Sequence, residues 1–167
     1  AKYEVSYVGG VGISGTVPSQ ASIGPNETFT VAAGTSILKT GYTFSKWKDS
    51  GNVDYLPGAT YTVTNAPVTL TAQWTIKNYA VSFAAGAHGS ISGTTPQNVD
   101  HGSSTSQVTA VPDPNYHFVS WSDASTINPR TITSVETTTS LTASFAIDTY
   151  TAVSYTHLRA HETKANL

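Results

Sequence analysis

The sequence predicts an all-β or small α+β protein, built as two tandem modules of about four to five strands each, joined end to end. Three observations carry that prediction. Serine and threonine make up 47 of the 167 residues. With the Val, Tyr and Ile beside them they favour half-buried pleated surfaces, while helix formers are scarce and few residues recur at helical spacing. Short runs alternate apolar and polar side chains and are punctuated by Gly and Pro. Finally, whole segments of the chain recur in the same order at offsets of 71 to 76 residues.

The elements follow in chain order. Tyr3, Val5 and Tyr7 alternate with Lys2, Glu4 and Ser6, and "YEVSY" (Tyr3 to Tyr7) recurs as "YAVSF" (Tyr79 to Phe83). Period two with one wet face predicts a strand at each place. Gly-rich turns come next, sharing Ile-Ser-Gly-Thr and then Pro18 or Pro96. "ETFTVAA" (Glu27 to Ala33) and "SQVTAV" (Ser106 to Val111) predict further strands, as do "ATYTVTN" (Ala59 to Asn65) and "RTITSV" (Arg130 to Val135). Each unit closes on an alternating run, "VTLTAQW" (Val68 to Trp74) or "TSLTASF" (Thr139 to Phe145). The links "TIKN" (Thr75 to Asn78) and "AIDT" (Ala146 to Thr149) are short, so little freedom between modules is expected. Pro67 and Lys77 are expected to blunt sheet edges.

Between these strands stands "GYTFSKW" (Gly41 to Trp47), echoed 74 residues later by "NYHFVSW" (Asn115 to Trp121). Tyr42, Phe44 and Trp47 could stack on sugar rings, or they could fill a core. A unit of about 70 residues has barely enough apolar surface to fold, so the core reading is preferred. The spacing is odd for a strand. Tyr42 and Phe44 share a face, but Trp47 is three positions on and would point the other way. A bulge or a strand end is therefore expected between Phe44 and Trp47, with its counterpart at Val119–Ser120.

An opening Tyr-x-Val-x-Tyr strand, a central Gly-Tyr-x-Phe-x-x-Trp and a closing Thr-Leu-Thr-Ala-x-Trp strand resemble the internalin-type B-repeat family of bacterial surface proteins. Residues 1–76 resemble its standard form. Residues 77–147 resemble a divergent form, with "NPRTIT" after the aromatic motif and Phe145 in place of a final Trp. The resemblance implies a β-grasp-like fold, an extracellular or cell-wall location, and a structural or adhesive role with no catalytic residues. A grasp-type helix is not evident, because "GTSILK" (Gly34 to Lys39) is too short for one. Residues 148–152 look like the first residues of a third module, since Tyr150 stands where Tyr79 does.

The closing stretch breaks the β rhythm. Codons for Val153 to Thr163 can spell the adapter used in transposase-based sequencing libraries, so residues 153–167 are expected to be a non-native tail and are set aside from fold reasoning. This also discounts His157, His161 and Glu162, whose spacing mimics a helical metal pair. The chain has no Met, even at position 1, and is expected to be a fragment.

Charge and residue types narrow the chemistry. Net charge is −2 and the eight Lys and Arg are scattered, with no basic stripe for nucleic acid. There is no Cys, which removes disulfides and thiolate chemistry. Asp49, Asp54 and Asp123 lie among Gly, Asn and Ser and are expected to be turn residues, without the ligand series of a calcium loop. His88, His101 and His117 stand singly, with no acid or nucleophile spaced to suit them. Asn26-Glu27-Thr28 fits a glycosylation sequon, of little meaning in a bacterial protein. No catalytic, metal or cofactor residue is therefore expected, and no membrane insertion of this segment. The expected role is spacing or adhesion, with a protein or glycan partner on a host, a neighbouring cell or matrix. The alternative is a carbohydrate-binding accessory module of a larger secreted enzyme. Exposed, coplanar Tyr42, Phe44 and Trp47 would favour the alternative; burial would favour the spacer.

Overall fold

The computed structural model describes residues 1–153, and no helix occurs among them. The first module holds β1 (Val5–Val8), β2 (Ile13–Gly15), β3 (Thr28–Thr30), β4 (Ile37–Lys39), β5 (Tyr42–Lys48), β6 (Asp54–Tyr55), β7 (Thr60–Thr62) and β8 (Val68–Ile76). Its main sheet has the order β1-β8-β5-β6, and the ribbons β2–β4 and β3–β7 lie outside that sheet. The second module holds β9 (Asn78–Ala85), β10 (Gly89–Ser92), β11 (Gln97–Asp100), β12 (Thr109–Pro112), β13 (Tyr116–Trp121) and β14 (Thr139–Ile147). Its sheet runs β11-β9-β14-β13, with one ribbon, β10–β12. Each module thus centres on a four-stranded sheet, as the alternation predicts.

The opening and closing strands of each module pair in parallel: β1 with β8, and β9 with β14. A parallel pair needs a long crossover, which the intervening chain supplies. The central three strands are equivalent in the two modules, but the fourth comes from opposite sides. In the first module β6 pairs with β5. In the second module β11 pairs with β9, and β13 becomes an edge.

The irregular aromatic spacing is resolved by a bulge in both modules. In β5 the register shifts between Phe44 and Lys46, so Ser45 is the extra residue. Tyr42 faces Ile76, Phe44 faces Trp74 and Trp47 faces Ala72. Those partners are alternate residues of β8, so the bulge returns Trp47 to the face of Tyr42 and Phe44. The same shift falls between Phe118 and Ser120, with Val119 as the extra residue.

The face so formed is covered by the rest of each module. Val5, Tyr7, Leu70, Ala72 and Trp47 of the first sheet pack with Phe29, Val31, Ile37 and Val63. In the second, Val81, Phe83, Leu141, Ala143 and Trp121 pack with Val108, Ala110 and Val135. These are two separate two-layer cores, as expected for units that each fold around one apolar centre.

Three local expectations are corrected. Arg130 to Val135 is not a strand. It makes one bridge, Val108 with Arg130, and scattered backbone bonds from Thr105 to Ile132 and from Val135 to Ser103. The Oγ1 of Thr105 also accepts from Ile132 N–H, so a side chain takes part of the ladder's place. Asp54, expected in a turn, opens the short strand β6, while Gly34 to Lys39, read as too short for a helix, ends in β4. Pro67 and Lys77 lie on no edge strand, because Pro67 precedes the interior strand β8 and Lys77 follows it.

Lys77 alone separates β8 from β9. Its N–H donates to Gly41 O (2.9 Å), and its carbonyl accepts from His101 N–H (2.8 Å). Gly41 has φ +77°, and a Cβ there would stand 2.0 Å from Cδ2 of His101. The missing side chain therefore lets the His101 ring of the second module lie on the backbone of the first. The far end of the second module repeats half of this arrangement, with Asp148 N–H donating to Asn115 O (2.8 Å) and Asn115 at φ +67°. Residues 148–153 carry no strand, and Tyr150 is exposed. His157, His161, Glu162 and all of the expected adapter stretch except Val153 lie outside the described residues.

Candidate functional site

The two central aromatic motifs are not one surface platform. Trp47 is 0% exposed and Trp121 1%. The Trp47 ring meets Tyr7 edge-on at 4.7 Å and Phe44 at 5.0 Å with a 55° tilt. Trp121 repeats this with Phe83 at 5.5 Å and Phe118 at 5.7 Å. Each buried indole N–H has a carbonyl partner, Ala32 O at 2.8 Å for Trp47 and Ile127 O at 3.0 Å for Trp121. A buried Trp needs such a partner, because an orphaned donor loses its hydration without return. Tyr42 and Phe44, in contrast, are only half-buried.

The charged residues mostly hold turns and strand edges. Asp49 Oδ1 accepts from Gly51 and Val53 N–H, both at 2.9 Å, closing its own turn. Asp54 pairs with Lys46 and, at 3.7 Å, with Lys48. The Lys46 hydrogen bond holds the Asp54 carboxyl below the usual carboxylate range. Asp123 pairs with Arg130 and accepts from Ser125 N–H. Desolvation pushes Asp123 up, but the Arg130 bonds and that backbone bond outweigh it, so its pKa is lowered. Tyr61 is pushed up to about 12, first by burial and then by the nearby Asp49 carboxylate.

The histidines take three separate places. His88 stacks on Tyr116 with centroids 4.1 Å apart. The His117 ring lies 2.8 Å from Asp148 at the surface. His101 packs near Tyr79 at the module joint, where its Nδ1 is buried without a hydrogen-bond partner.

Two open hollows stand out among the described residues. The larger, about 560 Å³, runs along β13 and β14 beside Trp121, Phe145 and His88. Its serine hydroxyls are already engaged, Ser120 with Ser144 and Ser122 with Thr142 N–H. The other, about 420 Å³, lies where β4 meets β5 and β8. Phe44 and Trp74 line it, meeting edge-on at 5.7 Å, with Tyr42 beside them and Lys39 and Lys77 also lining it. The Trp74 indole N–H is held by Gly9 O at 3.0 Å. Sequence reasoning centred on Tyr42, Phe44 and Trp47 and missed Trp74 and Lys39. The cross-strand register Phe44 with Trp74, once the bulge is placed, is the signal that joins them.

A mixed sheet whose first and last strands pair in parallel, built twice around a bulged aromatic strand, defines a tandem β-repeat protein. Comparison with known families agrees. The family described as the Divergent InlB B-repeat domain matches residues 3–78 and again 79–149, and the chain belongs to that family. Two curated relatives come from Evansella cellulosilytica. One, provisionally named a Gly-rich membrane protein, is 35% identical over 94 residues, covering 54% of this chain and 11% of the relative. The other, provisionally named a membrane protein, is 33% identical over 92 residues, covering 53% and 14%. The matched region is thus a small fraction of those relatives' length. No solved structure matches the chain.

Proposed function

We propose that these modules are non-catalytic spacer units of a bacterial cell-surface protein, setting a distal part at a distance from its anchor or forming part of an adhesive array. The observation that carries this reading is the joint. One residue separates β8 from β9, and the His101 ring sits on the bare backbone of Gly41. Modules that cannot swing freely add their lengths and behave as a semi-rigid rod. Family membership supports a cell-envelope location, as do the relatives' names, and exposed Ser and Thr suit a wet, weakly charged exterior. Carboxylates with lowered pKa tied into exposed ion pairs suit turn and edge roles rather than acid–base chemistry. The partner would be a protein or glycan on a host, a neighbouring cell or matrix. The alternative, an enzyme's carbohydrate-binding accessory module, loses its expected platform because Trp47 is core.

The chain has no Cys, so two introduced thiols can be spin-labelled cleanly. Labels at Ser50→Cys and Thr137→Cys, both exposed, report the distance between modules. A single narrow distribution is expected. A broad one, like that of a flexible linker, would refute the rod.

A further inference from the structure

The hollow between β4, β5 and β8 has a chemistry that the spacer reading does not use. Phe44 and Trp74 present half-buried rings, and Tyr42 continues the strip toward the module joint. Half-exposed rings beside one another suit the C–H face of a sugar. Gly34 belongs to this construction. A Cβ there would stand 2.4 Å from the Phe44 ring, so the glycine lets that ring lie against backbone and keeps the hollow open. The rim is cationic. Lys39 holds its ammonium 4.6 Å over the Tyr42 ring, and Lys77 stands at the joint. Neither lysine forms an ion pair among the described residues, whereas Lys46 and Lys48 both pair with Asp54. Among the described residues no carboxylate lines the hollow, and Thr35 and Thr43 are exposed.

From this juxtaposition we infer that the first module binds an acidic saccharide, a uronic-acid oligomer. Its rings pack on the exposed parts of Phe44 and Trp74, and its carboxylates are taken by Lys39, whose ammonium covers the Tyr42 ring, and by Lys77. Charge complementarity decides for an anionic sugar over a neutral one, since both lysines line the hollow and neither is ion-paired among the described residues. The second module provides the contrast within the same chain. Asp148 stands where Lys77 does, each donating its N–H to the residue before the aromatic motif. Phe145 replaces Trp74 opposite the Phe of the bulged strand. The ring of Tyr116, equivalent to Tyr42, is covered by His88. That place lacks the lysine, and its carboxylate is held by His117, so the site is assigned to the first module. The inference rests on the hollow and holds whether or not the joint is stiff.

The test titrates the full chain with trigalacturonate, and in parallel with neutral galactotriose, by calorimetry and by amide shifts in two-dimensional NMR. Trigalacturonate is expected to move amides of β4, β5 and β8 but not of β13 and β14, and its affinity should fall with added salt. The double variant K39Q/K77Q should bind roughly tenfold more weakly, the scale of two exposed ion pairs. D148K should bind as the parent does. Equal binding by K39Q/K77Q, equal binding of the neutral sugar, shifts confined to the second module, or no binding at millimolar sugar would each overturn the inference. Unchanged shifts far from the hollow in K39Q/K77Q establish that the variant is folded.

Discussion

Replacing Trp47 with Ala tests the central claim about the aromatic motif. Trp47 has no exposed surface, contacts Tyr7 and Phe44, and donates its indole N–H to Ala32 O. A buried aromatic removes ~150–250 Å² from water, which at about 25 cal/mol per Å² is of order 4–6 kcal/mol gross. Partial collapse around the void and compactness of the unfolded chain reduce that, and measured Trp→Ala costs run about 3–5 kcal/mol. A module of ~70 residues holds only ~4–10 kcal/mol of net stability. The change should therefore take the first module close to unfolding and leave the second intact. Urea titration followed by fluorescence separates the two, because Trp74 then reports the first module and Trp121 the second. An early Trp74 transition with an unmoved Trp121 transition is expected. A loss below about 1 kcal/mol would mean that Trp47 is not the packing centre its burial indicates.

Other contacts can be perturbed in the same way. Deleting Ser45 removes only the bulged residue and leaves Phe44 opposite Trp74 and Trp47 opposite Ala72, so it should be tolerated. Deleting Thr43 instead puts Tyr42 out of phase with Phe44 and should destabilise by several-fold more in the same urea assay. Raising pH probes Tyr61, whose folded pKa of about 12 stands above the ordinary phenol value of 10.0. Its contribution is complete below pH 10 and is lost as pH rises toward 12, so thermal stability should fall across that window and absorbance at 295 nm should show a delayed tyrosinate step; Tyr61→Phe should diminish that step, to which the raised Tyr7 and Tyr55 also contribute. Gly41→Ala meets both a left-handed φ and the His101 ring, so it should cost about 1–2 kcal/mol and broaden the inter-module distance distribution. Adding His101→Ala should relieve the clash but not the backbone strain.

Much of this structure was legible in the residues. The repeat was visible because both copies keep their strand and motif order, and the bulge because the 2-then-3 spacing cannot sit on a flat strand. What escaped notice was short or context-dependent. β6 is two residues, Asp54–Tyr55, with no periodicity to detect, and β11 reads "QNVD", a sequence as suitable for a turn. Each becomes a strand only because a neighbouring edge offers hydrogen bonds. Alternation told which face Tyr42 and Phe44 share but not how far the cover extends over it. It extends over Trp47 and stops short of them, which is why a motif expected to be wholly core has a half-open end.

The parallel pairing of first and last strands decides how such a module resists force. Tension enters at the start of β1 and leaves at the end of β8, two neighbours that point the same way. Pulling slides one strand along the other, so the four register pairs from Val5–Val68 to Val8–Thr71 are strained together. A hairpin pulled from its open end would instead unzip, its bonds breaking in succession. In the second module five pairs, Thr139–Val81 to Ala143–Ala85, share the same shear. The fold is thus a clamp closed by its own termini, and its strongest direction is the one along which a tethered chain is stretched.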